Sequence, residues 1–331
     1  MSSISRKSRA FLSKIKFAAG IDPLIEKSND WRRFIPEPYS AVILIQADFE
    51  MAWASRWSKR FRGNIQGVLE MARRERKNMS QILDLCDRFN IPVTWATVGH
   101  LLLDNCQRQN GKIHHDIPQL PEFENEYWKF SGQDWFEHDP GTDVARDPEW
   151  YAPDLVKDIL RRETKHEIGC HTFSHIDCRD GICPPELMQI ELRECKKLAK
   201  RWGMELKSFV HPGHTIGNLD VLADEGFSNY RTDYRNVLGY PKDNRNGFWE
   251  LPSTMEIGYR KEWSMEYHVH RYRKIIDRAI KAHSVCVLWF HPSLHEKILH
   301  DVLPAIFAHI DHSRATIWPM TSGEYTSWLN R

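Results

Sequence analysis

From residue 40 onward, short apolar runs alternate with longer stretches whose apolar positions recur every three or four residues. The runs "AVILIQAD" (41–48), "VTWATV" (93–98), "HEIGCHT" (166–172), "KSFVHP" (207–212), "SNYRTD" (228–233), "GFWELPST" (247–254) and "SVCVLWFHP" (284–292) read as strands. Between them, residues 65–89, 152–164, 184–203, 218–226 and 270–283 carry helical periodicity. Pro153 sits where a first helical turn tolerates proline, and Gly203 sits where a helix ends. Alternation of this kind predicts an α/β fold around a parallel sheet, either closed as a barrel or open and doubly wound.

The polar residues at the strand ends add a second layer. Asp48, His171, His211 and His291 each fall at the C-terminal end of a predicted strand. In α/β barrels that rim is where catalytic groups gather. Residues 105–151 interrupt the rhythm with a long segment containing Tyr127, Trp128, Trp135, Phe136, Trp150 and Tyr151. Its aromatic content argues against disorder, so the segment reads as an ordered loop insertion after the second strand. Trp128 and Trp135 offer flat apolar faces with a polar edge, suited to the faces of sugar rings; the same rings also suit packing of the loop onto the rim. Residues 1–39 read as a basic lead-in, and 40–331 as the catalytic domain that carries the 105–151 insertion.

Composition narrows the class. The chain has 331 residues, with Lys plus Arg at 46 and Asp plus Glu at 45, for a net charge of +1. Without a basic block this excludes a nucleic-acid footprint. The seven cysteines are scattered and form no C-x-x-C, as expected for reduced thiols in a cytoplasmic protein. Near the N-terminus, Arg6, Lys7, Arg9, Lys14 and Lys16 precede the first acidic residue, Asp22, and interleave with Phe11, Leu12, Ile15 and Phe17. That pattern suits either an amphipathic helix on an anionic membrane surface or a solvated terminus. Apolar runs too short for a secretory signal or a span predict a cytoplasmic protein, peripheral at most to the inner face of a membrane.

The candidate chemistry centres on "HEIGCHTFSH" (166–175), where His171 and His175 are four apart. Neutral imidazoles bind divalent transition metals, but 17 histidines in the chain make a lone pair a weak signal. "QADFE" strengthens it, because Asp48 and Glu50 stand two apart at the end of the first strand. One carboxylate joining the two histidines makes a three-ligand, open site, and the other is placed to take a proton from water. His291, at the end of the most apolar strand, is placed to protonate a leaving amine. Together these groups describe a hydrolase of an amide-like bond. A thiolate-rich structural zinc site on Cys170, His171, His175, Cys178 and Cys183 competes, although no second close cysteine pair completes it.

These motifs resemble the polysaccharide deacetylases of carbohydrate esterase family 4, the NodB-homology proteins, over about Ala41 to Leu329. "HTFSH" matches that family's H-[ST]-x-x-H motif, and "QADFE" stands where it has T-F-D-D-G. The resemblance implies an incomplete (β/α)7 barrel, Asp48 as base, and Glu50, His171 and His175 as ligands of a divalent metal. Zinc is the expected ion, with cobalt or nickel as substitutes, and Thr172 braces the loop. It further implies Pro212 and Gly213 at the substrate, Trp249 as a groove wall, Leu288 lining an acyl pocket, and His291 as acid. "FVHPGH" lacks the arginine and the aromatic of the family's third motif, and His211, His214 and Arg231 are the candidates to orient the base. The activity implied is removal of an N-acetyl group from an amino sugar of a glycan or glycan precursor. Deformylation, cyclic-amide hydrolysis of the allantoinase kind, and sugar binding by a degraded site are the alternatives.

Overall fold

The computed structural model describes residues 6–232 and 236–331; Asp233, the last residue of the 228–233 run, lies outside the described residues. In chain order the main elements are α1 (Arg6–Ala18), β1 (Ala41–Phe49), α2 (Ile65–Phe89), β2 (Thr94–Thr97), α3 (Pro153–Arg161), β3 (Glu167–Cys170), α4 (Pro185–Arg201), β4 (Ser208–Val210), α5 (Leu219–Asp224), β5 (Asn229–Thr232), β6 (Phe248–Pro252), β7 (Met255–Glu256), α6 (Met265–Ala282), β8 (Val285–Phe290), α7 (Leu303–His312), β9 (Ile317–Met320) and α8 (Ser322–Leu329). The seven predicted strands and five predicted helices all coincide with these elements.

The sheet runs in the order β6-β5-β4-β3-β2-β1-β8-β7 with every pair parallel, and a strand at Lys242–Arg245 adds antiparallel to β6. β8 pairs with Val42–Ala47 along one edge of β1. β9 and β2 divide the other edge, β9 against Ala41–Leu44 and β2 against Gln46–Phe49. The sheet is strongly curled. Arg231 on β5 bonds Asp48 on β1 at 2.7 Å, although three strands lie between them. In a flat sheet four steps of about 4.8 Å would separate their backbones by about 19 Å, beyond an arginine's reach. The result is a mixed α/β fold with a half-barrel sheet.

Period-2 alternation then sorts the residues of each strand. On β1, Ile43, Ile45, Ala47 and Phe49 pack in the large core between sheet and helices, while Val42 and Leu44 join Ile35, Leu251, Val285, Val287 and Tyr325 inside the curl. The inward row of β1 therefore reads Val42, Leu44, Gln46, Asp48 and continues to Glu50, apolar at the bottom and acidic at the top. Because all main strands run parallel, their C-terminal ends share that top.

Local sequence explains the helix ends that matter. Asn64 caps α2 by accepting from the Gly67 amide, and Asn90 ends it in the left-handed conformation. α8 opens on a capping box between Thr321 and Glu324. Residues 105–151 form an irregular, ordered segment with one small hairpin, Phe123–Glu124 against Lys129–Phe130. Phe123, Trp128, Phe130, Trp135, Phe136, Trp150 and Tyr151 are all buried, so packing accounts for most of its rings. Phe17 of α1 is buried against the guanidiniums of Arg271 and Arg278, while Phe11, Leu12 and Ile15 are exposed. All seven cysteines are free thiols. Among the described residues no helix is long and apolar enough to cross a membrane.

Candidate metal centre and active-site cleft

The "HTFSH" segment leaves β3 in a tight turn whose Thr172 and His175 both adopt positive φ, 58° and 57°. Non-glycine residues take that conformation only when their surroundings hold them there. Here the Thr172 hydroxyl accepts from the Ile176 amide at 3.2 Å, and Glu191 of α4 accepts from both the amide and the hydroxyl of Ser174 at 2.8 and 2.7 Å. The buried Arg56 donates to the carbonyls of Trp53 and Ser174 from the other side. Both imidazoles are thereby aimed at the end of β1.

There they meet Glu50. His171 Nε2 lies 2.9 Å and His175 Nε2 3.2 Å from the same oxygen, Glu50 Oε1. His171 donates through Nδ1 to the Val210 carbonyl at 2.7 Å, which leaves Nε2 of a neutral ring as a lone pair facing a carboxylate. A proton on the ring nitrogen or a metal ion between the two atoms satisfies that contact. Burial pushes His175 down to about 4, so at neutral pH its ring is uncharged and a metal ligand in kind. Burial raises the proton affinity of Glu50, but His291, His175 and His171 outweigh it and hold the carboxyl well below its usual range. A carboxylate oxygen and two imidazole nitrogens within 4.8 Å of one another fit a divalent transition metal.

Asp48 sits one inward position below. Arg231 grips it with two parallel contacts, Nη1 to Oδ1 at 2.8 Å and Nη2 to Oδ2 at 2.7 Å, and stacks on the Trp289 ring at 4.4 Å. Of the three groups considered for the missing arginine, Arg231 is the one on Asp48. His211 instead donates to the Gly217 carbonyl, and His214 lies on the cleft wall against Trp289. His291 follows β8 with its side chain 37% exposed, 3.6 Å from Glu50 Oε2 and 3.8 Å from Glu256 Oε1. Burial opposes its charge, but the carboxylates of Glu50, Glu256 and Asp48 lift it to about 10, a protonated imidazolium at neutral pH.

These groups open into a cleft of about 580 Å³ lined by Asp48, Glu50, Trp128, His175, Gly213, His214, Glu256, Tyr259, Trp289 and His291, among others. Trp128 is fixed by its indole donating to the Ala54 carbonyl at 3.1 Å, and its ring meets His175 edge-on. Gly213, at φ 51°, lies directly against that ring; a Cβ there would overlap it, so the residue following Pro212 has to be glycine. Pro212 is buried beneath, its carbonyl accepting from Thr215.

Three expected substrate residues lie elsewhere. Leu288 is on the outward face of β8, in the core with Cys286 and Phe290, because alternation gives the cleft to Trp289 and His291. Trp249 is near the start of β6, at the opposite end of that strand from the cleft, and its indole donates to Asn330. Trp135 is 3% exposed, donates to Ser174 and stacks on Arg56, so it supports the histidine loop from behind. Conversely, α2 supplies two groups with no sequence signature. Glu75 accepts from the Glu50 and Met51 amides at 3.0 and 3.2 Å, and Asn78 donates to the Pro292 and Leu294 carbonyls at 2.9 and 3.0 Å. Burial, with Glu50 nearby, pushes Glu75 up to about 8. Their only sequence trace is a pair of polar residues on the buried face of an otherwise apolar helix stripe.

No family model and no curated protein matches the sequence. Solved structures do share the fold. A Mycobacterium smegmatis protein described as a polysaccharide deacetylase aligns with TM-score 0.62 at 14% identity, over 89% of this chain and 92% of that one. A Pseudomonas aeruginosa PAO1 protein with the same description aligns at TM-score 0.61 and 11% identity, over 89% and 92% of the two chains. Puue allantoinase aligns at TM-score 0.58 and 12% identity, again over 89% and 92%. The polysaccharide deacetylase resemblance read from the motifs is thus matched by a likeness in fold over nearly the whole chain.

Proposed function

We propose that this protein is a metal-dependent hydrolase that removes an N-acetyl group from an amino sugar of a glycan or glycan precursor, releasing acetate. The scaffold is read as an incomplete (β/α)7 barrel, with residues 40–331 as the catalytic domain and 105–151 as its insertion. The observation that carries the proposal is the meeting of Glu50, His171 and His175 beside Asp48 and His291 in one cleft.

Glu50, His171 and His175 would hold the ion, zinc by preference, which supplies Lewis-acid polarisation of the amide carbonyl. Asp48, oriented by the two contacts from Arg231, accepts the proton of the attacking water. The Gly213 backbone and Trp128 border the space for the acyl group. His291 delivers a proton to the departing amine, and the carboxylates of Glu50 and Glu256 favour the charged form of that imidazole beforehand. Trp128, Tyr127 and Tyr259 give the cleft flat walls for sugar rings. We place the enzyme in the cytoplasm, with the exposed Phe11, Leu12 and Ile15 of α1 as a contact for an anionic membrane surface.

The test is a panel of N-acetylated sugars, N-formylated sugars and cyclic amides, offered to chelated and zinc-reloaded protein. Acetate release that chelation abolishes and zinc restores is the expected result. Turnover of formyl or cyclic amides alone would move the substrate class to the deformylase or allantoinase kind. Stoichiometric zinc with no turnover would leave a sugar-binding protein.

A further inference from the structure

We propose that His100, Cys106, His114 and Asp139 form a second, four-coordinate metal site of zinc-binding chemistry, which staples the 105–151 insertion to the rim beside the histidine loop. The inference does not rest on the proposed function.

The four side chains come from separate places, the turn after β2, two points early in the insertion and one late in it. Their ligand atoms nevertheless lie within 4.8 Å of one another. Asp139 Oδ2 is the hub, 2.9 Å from His100 Nε2, 3.4 Å from His114 Nε2 and 3.4 Å from Cys106 Sγ. A tetrahedral zinc with bonds of about 2.0–2.3 Å has its ligands about 3.3–3.8 Å apart, so coordination asks the His100–Asp139 pair to open slightly and the widest pairs, at up to 4.8 Å, to close by about 1 Å. Neither histidine Nε2 lies on the line of a hydrogen bond, although His100 is fully buried and Asp139 is 1% exposed.

The surroundings are those of a ligand set. His100 Nδ1 donates to the Trp150 carbonyl, so the neutral ring turns an Nε2 lone pair toward Asp139. Asp139 Oδ1 is already satisfied by the Tyr151 hydroxyl at 3.0 Å and the Gly141 amide at 2.9 Å, which leaves Oδ2 for the shared centre. Fixing a histidine through its other nitrogen and a carboxylate through its other oxygen is how metal ligands are commonly oriented. Charge completes the case. On binding, Cys106 releases its proton to solvent, and one thiolate plus one carboxylate balance a divalent ion in a buried place. Four protein ligands leave no open position, so the role is structural rather than catalytic.

The staple touches the proposed catalytic loop. The Gly99 and His100 amides donate to the Thr172 and Phe173 carbonyls at 2.8 and 3.0 Å, and the Phe173 ring lies 5.0 Å from that of His114. A metal here would therefore anchor the turn that aims His171 and His175.

Elemental analysis and zinc K-edge absorption of the zinc-loaded full chain, freed of excess metal, test the proposal. Two zinc ions per chain are expected, with a sulfur scatterer at about 2.3 Å averaging half a sulfur per zinc. The His171→Ala/His175→Ala variant should keep one zinc and show one full sulfur per zinc, whereas Cys106→Ala/His114→Ala should lose the sulfur signal. If the latter fails to fold, the first two measurements still decide. Wild-type zinc without sulfur in its shell, or a His171→Ala/His175→Ala variant that folds but binds no zinc, overturns the second site. One zinc per wild-type chain, with one sulfur, would uphold this site and sink the Glu50 centre instead.

Discussion

Arg231 holds Asp48 with two parallel N–H···O contacts, a geometry that the single point charge of a lysine does not reproduce. Arg231→Ala should therefore lower kcat on the order of 10²-fold, the scale of general-base catalysis, with KM and bound metal little changed. Arg231→Lys should not restore it. Steady-state kinetics with metal analysis check this; unchanged kcat in Arg231→Ala would remove the arginine from the mechanism. The two tryptophans once grouped together now separate. Trp128→Ala should raise KM for a glycan substrate, because that ring forms the cleft wall. Trp135→Ala should instead cost about 3–5 kcal/mol of stability, read in urea unfolding, because its ring is interior. The histidines and carboxylates were legible because "HTFSH" and "QADFE" are local patterns. Leu288 misled because a spacing of three along a strand puts two residues on opposite faces, and the face only emerges once the strand is in its sheet.

At the scale of elements, α2 holds two loops of the cleft at once, Glu75 under the end of β1 and Asn78 under the turn that follows His291. Asn78→Ala strips the donor from two buried carbonyls, so stability should fall by about 1–3 kcal/mol, and kcat with it as His291 loses its fixed position. Thermal unfolding and turnover report the two effects; a variant as stable as the wild type would contradict the role given to α2. Between residues 40 and 292 periodicity made seven strands and five helices plain, but not the two-residue β7 or the edge strand at Lys242–Arg245. Beyond residue 292 the pattern blurs for physical reasons. A π-helical turn at Ile298–Val302 shifts the phase ahead of α7, and Pro319 interrupts the apolar run of β9. The second metal set escaped notice because its four residues share no spacing motif and meet only when the insertion folds back on β2.

Across the whole molecule, the curl of the sheet builds the site. Asp48 and Arg231 are 183 residues apart in sequence with three strands between them in the sheet, and no local pattern announces their contact. The same curl brings the ends of β1, β3, β5 and β8 to one mouth, apolar below at Val42, Leu44, Val285 and Val287 and charged above. Composition and strand alternation made the α/β class readable; the degree of closure was not, because it depends on how strand twist accumulates over the full sheet. The most direct measurement on this arrangement is anomalous diffraction at the zinc edge from zinc-loaded crystals. A peak should appear about 2.0–2.2 Å from Glu50 Oε1 and from Nε2 of both His171 and His175. Crystals that show no density among those three atoms, or imidazoles turned away from the carboxylate, would contradict the metal centre and the hydrolase built on it.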